Sequence, residues 1–252
     1  MKRLATLIAA TVLGSGCIVS DTTEPCDSSI TIQWPNFRLA EGTITGGSMA
    51  AQCAQAGVDF VNVYFDGAPV LDGNGNPYDF LCSDGGAFIY GVYPGTHLVT
   101  VEGIDTTGWI VNRGEFSYGA PTCGSPVQNV QPGEGFVSVG YAFAPDNVCW
   151  SDHSYMWFAL YDETVGATTV SIDTNNTDLE KRSYLCGDPA GIVFRMPQGG
   201  YTMQRMEEWD RVGSNAYTVT GKNCTDQHFD VYGGSSSDVN VVLQDAGGVA
   251  CQ

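Results

Sequence analysis

The sequence predicts an all-β protein built as two tandem β-sandwiches, and three observations carry the prediction. Apolar and polar residues alternate over short runs, and no stretch sustains the 3.6-residue period of an amphipathic helix. Charged residues make up only 15% of the 252 positions while glycine fills 32, which suits short strands and tight turns better than polar helix faces. The same cysteine, aspartate and glycine spacings occur twice along the chain, the mark of a duplicated unit.

The first 16 residues stand outside that pattern. Lys2 and Arg3 form a short basic region, Leu4 to Leu13 an apolar stretch of ten, and Gly14, Ser15 and Gly16 are the small residues a signal peptidase needs. Ten apolar residues are too few to span a bilayer as a helix, so residues 1–16 are expected to be cleaved. The run Leu13-Gly14-Ser15-Gly16-Cys17 resembles a bacterial lipobox, with its branched apolar residue four places before the cysteine rather than the usual three. The resemblance implies that Cys17 is lipidated and opens the mature chain, that residues 17–27 are a tether to the membrane, and that Ile18 directs sorting to the outer membrane. Ordinary signal-peptidase cleavage is the competing reading. The cysteine count favours lipidation: nine are present, and setting Cys17 aside leaves eight, an even set that an exported chain pairs as disulfides.

Residues 28–132 and 133–252 are the two expected repeats. Cys53 and Cys149 are each followed thirteen residues later by an aspartate, Asp66 and Asp162, and strand-like runs Val61–Phe65 and Trp157–Tyr161 precede those aspartates. Cys82-Ser83-Asp84 and Cys186-Gly187-Asp188 come next, and thirteen residues after each cysteine stands a glycine, Gly95 and Gly199. An aromatic ring two places on, His97 or Tyr201, completes the correspondence, and Cys123 and Cys224 close the two copies. Ile30, Ile32 and Trp34 alternate with polar neighbours, as do Val137, Val139, Tyr141 and Phe143, and Val239, Val241 and Leu243, so one face of each strand enters a core. The repeat pairs Cys53 with Cys82 and Cys149 with Cys186 as equivalents, leaving Cys26 with Cys123 and Cys224 with Cys251.

The segment Gly91-Val92-Tyr93-Pro94-Gly95-Thr96-His97-Leu98-Val99-Thr100-Val101, repeated as Met196-Pro197-Gln198-Gly199-Gly200-Tyr201-Thr202-Met203, resembles the turn-and-strand step of immunoglobulin-like, transthyretin-like and carboxypeptidase-regulatory-like domains. The resemblance covers about 15 residues per copy and implies two immunoglobulin-like Greek-key β-sandwiches. It implies no chemistry, because that fold hosts many functions.

Charge excludes one class of partner. The chain has 28 acids and 10 bases, and loss of Lys2 and Arg3 leaves eight bases, a balance of −20. Such a surface repels phosphate backbones, so nucleic acid is not an expected partner. Asp72, Asn74, Asn76 and Asp79 lie in one glycine-rich loop, and the first three have the spacing of calcium ligands, but Pro77 replaces the turn glycine and Ser83 the closing glutamate of such a loop. The same residues read equally as a hairpin turn. Trp150, Tyr155 and Trp157 cluster after Cys149 and would serve as a stacking platform for sugar rings, while Trp157 also suits the core tryptophan that packs on a disulfide in immunoglobulin domains. His97, His153 and His228 lie in different segments, and no nucleophile-elbow, zinc-protease, phosphate-loop or C-x-x-C motif occurs. The expectation is a membrane-anchored surface lipoprotein without catalytic activity, engaged in binding, adhesion or envelope scaffolding of a surface protein or glycan. A glycan- or calcium-binding module is the second reading and an exported hydrolase the third.

Overall fold

The computed structural model describes residues 28–144, 149, 154–170, 184–186, 192–212 and 216–251. The signal segment, the tether, Cys17, Cys26, Trp150 and His153 lie outside them.

Alternation in the sequence becomes strand after strand. The first unit contains β1 (Ser28–Gln33), β2 (Arg38–Leu39), β3 (Gly42–Thr43), β4 (Phe60–Phe65), β5 (Ala68–Pro69), β6 (Phe80–Leu81), β7 (Gly86–Val92), β8 (Gly95–Ile104), β9 (Ile110–Ala120) and β10 (Val127–Asn129). The second contains β11 (Glu134–Phe143), β12 (Tyr155–Asp162), β13 (Ala167–Val170), β14 (Tyr184–Leu185), β15 (Ile192–Pro197), β16 (Gly199–Arg211), β17 (Tyr217–Asn223), β18 (Gln227–Val231) and β19 (Ser236–Asp245).

The two units share one wiring. In the first, β1 is flanked by β10, parallel to it, and by β7, antiparallel; in the second, β11 is flanked by β19, parallel, and β15, antiparallel. The facing layer is β5-β4-β8-β9 in the first unit and β13-β12-β16-β17 in the second. Successive strands cross repeatedly from one layer to the other, the Greek-key manner of connection. A short pairing of Gly221 with Asp245 and Lys222 with Gln244 links the two layers of the second sandwich at one end.

Each sandwich has its own core. Ile30, Ile32, Val61, Val63, Val99 and Val101 fill the first; Val137, Val139, Phe158, Met203, Val241 and Leu243 fill the second. Burying each such side chain stabilises the fold by about 1.5–3 kcal/mol. Trp34, fully buried, donates its indole N–H to the carbonyl of Cys82 at 2.9 Å. The core tryptophan beside a disulfide is therefore Trp34 and not Trp157, which lies half-buried on the outer face of β12 because Met156 and Phe158 take the inward positions.

The sequence pattern contains no helix, yet one forms. Helix α1 (Met49–Ala56) is opened by the Ser48 hydroxyl, which accepts the Ala51 N–H, and closed by Gly57 in the left-handed region at φ 67°. It carries Cys53 to Cys82, in a short 3-10 turn (Cys82–Asp84), and the two are bonded. Cys149–Cys186 and Cys224–Cys251 are bonded as well.

Candidate functional site

The repeat anchors occupy matching places. Asp66 and Gly67, with φ of 51° and 80°, make the two-residue turn between β4 and β5, where an Asp-Gly pair tolerates positive φ. The Asp66 carboxylate accepts the Leu98 N–H at 2.8 Å and pairs with His97 Nδ1 at 2.7 Å. His97 Nε2 donates to the carbonyl four residues back, Tyr93, at 2.8 Å. In the second unit the Tyr201 hydroxyl donates to the carbonyl four residues back, Pro197, also at 2.8 Å. Both neighbours of His97 are acceptors, which favours the doubly protonated ring, and the hydrogen bond to Asp66 raises its pKa above the ordinary 6.5. His228 is likewise raised, by its hydrogen bond to Glu163, itself held below the usual carboxylate range by Thr202 and His228.

Asp162, the counterpart of Asp66, is used at the junction between the sandwiches. Arg113, on β9 of the first unit, is fully buried. It donates Nη1 and Nη2 to the two Asp162 oxygens at 3.1 and 2.8 Å, Nε to Glu102 at 2.9 Å and Nη1 to the Tyr201 hydroxyl at 3.4 Å. Burial opposes the guanidinium charge, but Tyr201, Asp162 and Glu102 outweigh it and push the pKa up. Burial raises the Glu102 pKa against the pull of Arg113. The connecting backbone is pinned too: Gly133 exchanges hydrogen bonds with Arg113 at 2.8 and 3.0 Å and accepts the Gln198 N–H at 2.9 Å. A Cβ on Gly133 would lie 3.0 Å from the Gly233 Cα and 3.2 Å from the Arg38 carbonyl, so any larger residue there requires the neighbouring backbone to give. Arg195 of β15 ion-pairs with Glu41 and Glu134 and stands over the Phe136 ring.

The glycine-rich loop is a turn. Asp72 Oδ1 accepts the N–H groups of Asn74 and Asn76 at 2.8 and 2.9 Å, which lowers its pKa, and its backbone pairs with Asn76. Asp79 instead faces the Asn62 amide at 2.9 Å. The grouping of Cys149, Cys186 and Glu208 has metal-ligand spacing, but the two sulfurs are bonded to each other, and Glu208 accepts the Ser154 and Thr220 hydroxyls.

The outer face of β12 and β16 is already occupied. Arg205 stacks over Trp157 at 4.8 Å and donates to the Cys251 carbonyl at 3.2 Å; buried Glu207 accepts the Cys251 N–H at 2.7 Å and the Trp209 indole at 2.9 Å. Lys222 donates to the Val249 carbonyl at 2.7 Å. The chain between Ala246 and Cys251, clasped by Cys224–Cys251, thus lies beside Trp157, while Tyr155 packs edge-on against Tyr217.

The open face belongs to the first sandwich. Val127, Thr31 and Phe88 are cross-strand neighbours on β10, β1 and β7, and Tyr90 continues the same face of β7. Phe88 and Tyr90 are 45% and 78% exposed with rings edge-on at 4.4 Å, and Tyr93 in the following turn is 81% exposed. No residue of β1, β7 or β10 is charged. Phe88 and Tyr90 are not legible in the sequence because Ala87 before them and Ile89 between them are also apolar, so alternation does not tell which side faces water.

No protein-family model matches the chain, and no curated protein matches it in sequence. Among solved structures it is similar to the minor pilin GBS52 of Streptococcus agalactiae, at 11% identity and TM-score 0.34 over 86% of this chain and 96% of that one. The fimbrial anchor protein Mfa2 of Porphyromonas gingivalis matches at 11% identity and TM-score 0.29 over 82% and 100%. The chain spans 26% of a leucine-rich repeat protein of Bacteroides thetaiotaomicron (11% identity, TM-score 0.31 over 86% of this chain) and 34% of the TIE protein of Bacillus anthracis (12%, 0.26, 87%). All four scores lie below 0.5.

Proposed function

We propose that this chain is an exported, lipid-anchored surface protein that binds a partner without chemical turnover, as an adhesion or envelope-scaffold component. The observation that carries the reading is the uncharged aromatic face of β10, β1 and β7, since an exposed apolar patch on an otherwise acidic chain marks a contact surface. Supporting it, the disulfides Cys53–Cys82, Cys149–Cys186 and Cys224–Cys251 suit an oxidising compartment. The ionisable groups that stand closest together are spent on structure: Arg113 with Glu102 and Asp162, His97 with Asp66, His228 with Glu163. The signal-like segment ending at Cys17 supports lipidation and membrane attachment.

The test is retention of the mature protein on cell-envelope fractions. Binding is expected to fall at least tenfold in the double variant Phe88→Ser/Tyr90→Ser with the melting temperature unchanged; equal binding by that variant would remove the face from the reading. Intact mass measurement on the membrane fraction should find a chain beginning at an acylated Cys17, and an unmodified chain in the medium would end the anchoring claim.

A further inference from the structure

We infer that the edge of β7 is a strand-addition site that takes an extended, basic segment of a partner protein; the inference rests on the binding reading above and names the partner's chemistry. Strand β7 pairs with β1 on one side, and among the described residues no strand pairs with its other side. The ladder fixes which groups point outward. The Trp34 N–H donates to the Gly85 carbonyl at 3.0 Å, which makes Trp34 and Gly85 a hydrogen-bonded pair. Opposed residues alternate between bonded and non-bonded pairs in an antiparallel ladder. Ile32 with Ala87 and Ile30 with Ile89 are therefore bonded pairs, and Thr31 with Phe88 is not. The N–H and C=O of Phe88 face the open edge, directly beside its exposed ring.

Folded proteins guard such edges with charges, prolines or cover, because an unpaired row of donors and acceptors templates another strand. Strand β7 is seven residues long, and its ladder with β1 is regular from Gly86 to Ile89 before a register shift between Ile89 and Val92, so the templating edge is centred on Phe88. It has neither charge nor proline.

Charge selects the occupant. Residues 28–132 contain nine acids and two bases, Arg38 and Arg113. Arg113 is buried at the junction, and Arg38 reaches across it to the Gly233 carbonyl at 3.5 Å. An exposed acid, Asp84, stands two residues before β7, while the Asp66 carboxylate near its other end is taken up by His97 and the Leu98 N–H. A second copy of the chain would bring a further acidic chain of balance −20, whereas a strand with apolar alternation and flanking lysines or arginines meets neutral backbone in the middle, the Asp84 carboxylate at one end and an acidic unit around it.

The test uses the mature chain and a synthetic peptide, Lys-Val-Thr-Val-Thr-Val-Lys, with a twin N-methylated at every residue, which can donate to a ladder from neither edge. The peptide is expected to slow exchange of the Phe88 amide about tenfold and to bind more weakly as salt rises; one lost backbone bond is worth about that factor. The N-methylated twin should bind at least tenfold more weakly, and Phe88→Pro should lose more affinity than Phe88→Ser. Equal binding of the two peptides, or unchanged exchange at Phe88, would overturn strand addition. Protection of Phe88 that grows with protein concentration alone, together with a dimer in sedimentation, would replace the basic partner by a second copy. Polysaccharide retention that quenches tyrosine fluorescence without slowing the amide would replace it by a glycan. Loss of envelope binding in Phe88→Ser/Tyr90→Ser without any peptide binding sinks strand addition and leaves the binding face standing. Full envelope binding by that variant sinks both.

Discussion

Strand β15 lies beside β11 as β7 lies beside β1, antiparallel and at the rim of its layer. The two rims are finished differently. Strand β15 packs against β9 of the first sandwich and projects Arg195, which pairs with Glu41 and Glu134 and covers Phe136. Strand β7 projects Phe88 and Tyr90 into solvent. With the same wiring on both sides, the difference comes from position in the tandem: the first sandwich shields the rim of the second, and nothing among the described residues shields its own. A duplicated fold thereby carries one guarded edge and one open edge, and the open one lies in the unit with fewer bases.

The comparison depends most on Arg113, because it holds the first sandwich over the second. Arg113→Met leaves Asp162 and Glu102 buried without their cation, which is expected to cost about 3–5 kcal/mol in urea unfolding. The triple variant with Asp162→Asn and Glu102→Gln should recover most of that loss, since neutral groups tolerate burial better. A cost under about 1 kcal/mol would mean the junction is held by backbone contacts around Gly133 and not by the ion cluster.

Much of this architecture is written in local chemistry. Asp66, Gly95 and His97 and their counterparts Asp162, Gly199 and Tyr201 are legible because turns and strand starts demand particular residues wherever they occur. Arg113 is not, because its partner Asp162 is 49 residues away and no spacing rule links them. Helix α1 escapes notice because eight residues span barely two turns, too few for periodicity, and its caps Ser48 and Gly57 look like loop residues. The aromatic cluster around Trp157 is visible in the sequence, but not the chain ending at Cys251 that lies beside it, which depends on the Cys224–Cys251 bond and on Glu207. Phe88 and Tyr90 stay hidden for the opposite reason: both faces of β7 are apolar, and only packing shows which one is covered.

Arg195 offers a smaller test of the guarded edge. Its guanidinium is half exposed, so water screens its pairs with Glu41 and Glu134. Arg195→Ala is expected to lower stability by about 0.5–1 kcal/mol, counting the lost contact over Phe136. The more telling readout is association: an Arg195→Ser variant that dimerises through β15 would show that the arginine keeps that edge closed, as the absence of any charge leaves β7 open. A monomer at all accessible concentrations would assign the protection to β9 alone.

The smallest expected effects come from the two histidine pairs, one in each sandwich. Both histidines have raised pKa values, so their contribution to stability is complete below the ordinary value of 6.5 and is lost as pH rises through the higher folded value. Their partners Asp66 and Glu163 have lowered values, so the partner contribution is complete above the ordinary carboxylate value and is lost as pH falls through the lower folded one. Stability from these pairs therefore peaks in mildly acidic solution. The two should differ in degree: His97 is clamped between Asp66 and the Tyr93 carbonyl, whereas His228 Nε2 is 3.6 Å from Asp230 and largely open to water. Proton NMR titration is expected to place His97 and His228 both above 6.5, with salt shifting His228 more. A His97 midpoint at or below 6.5 would mean that the ring accepts rather than donates at one nitrogen, and the Asp66–His97–Tyr93 link that fixes the end of the open edge would lose its basis.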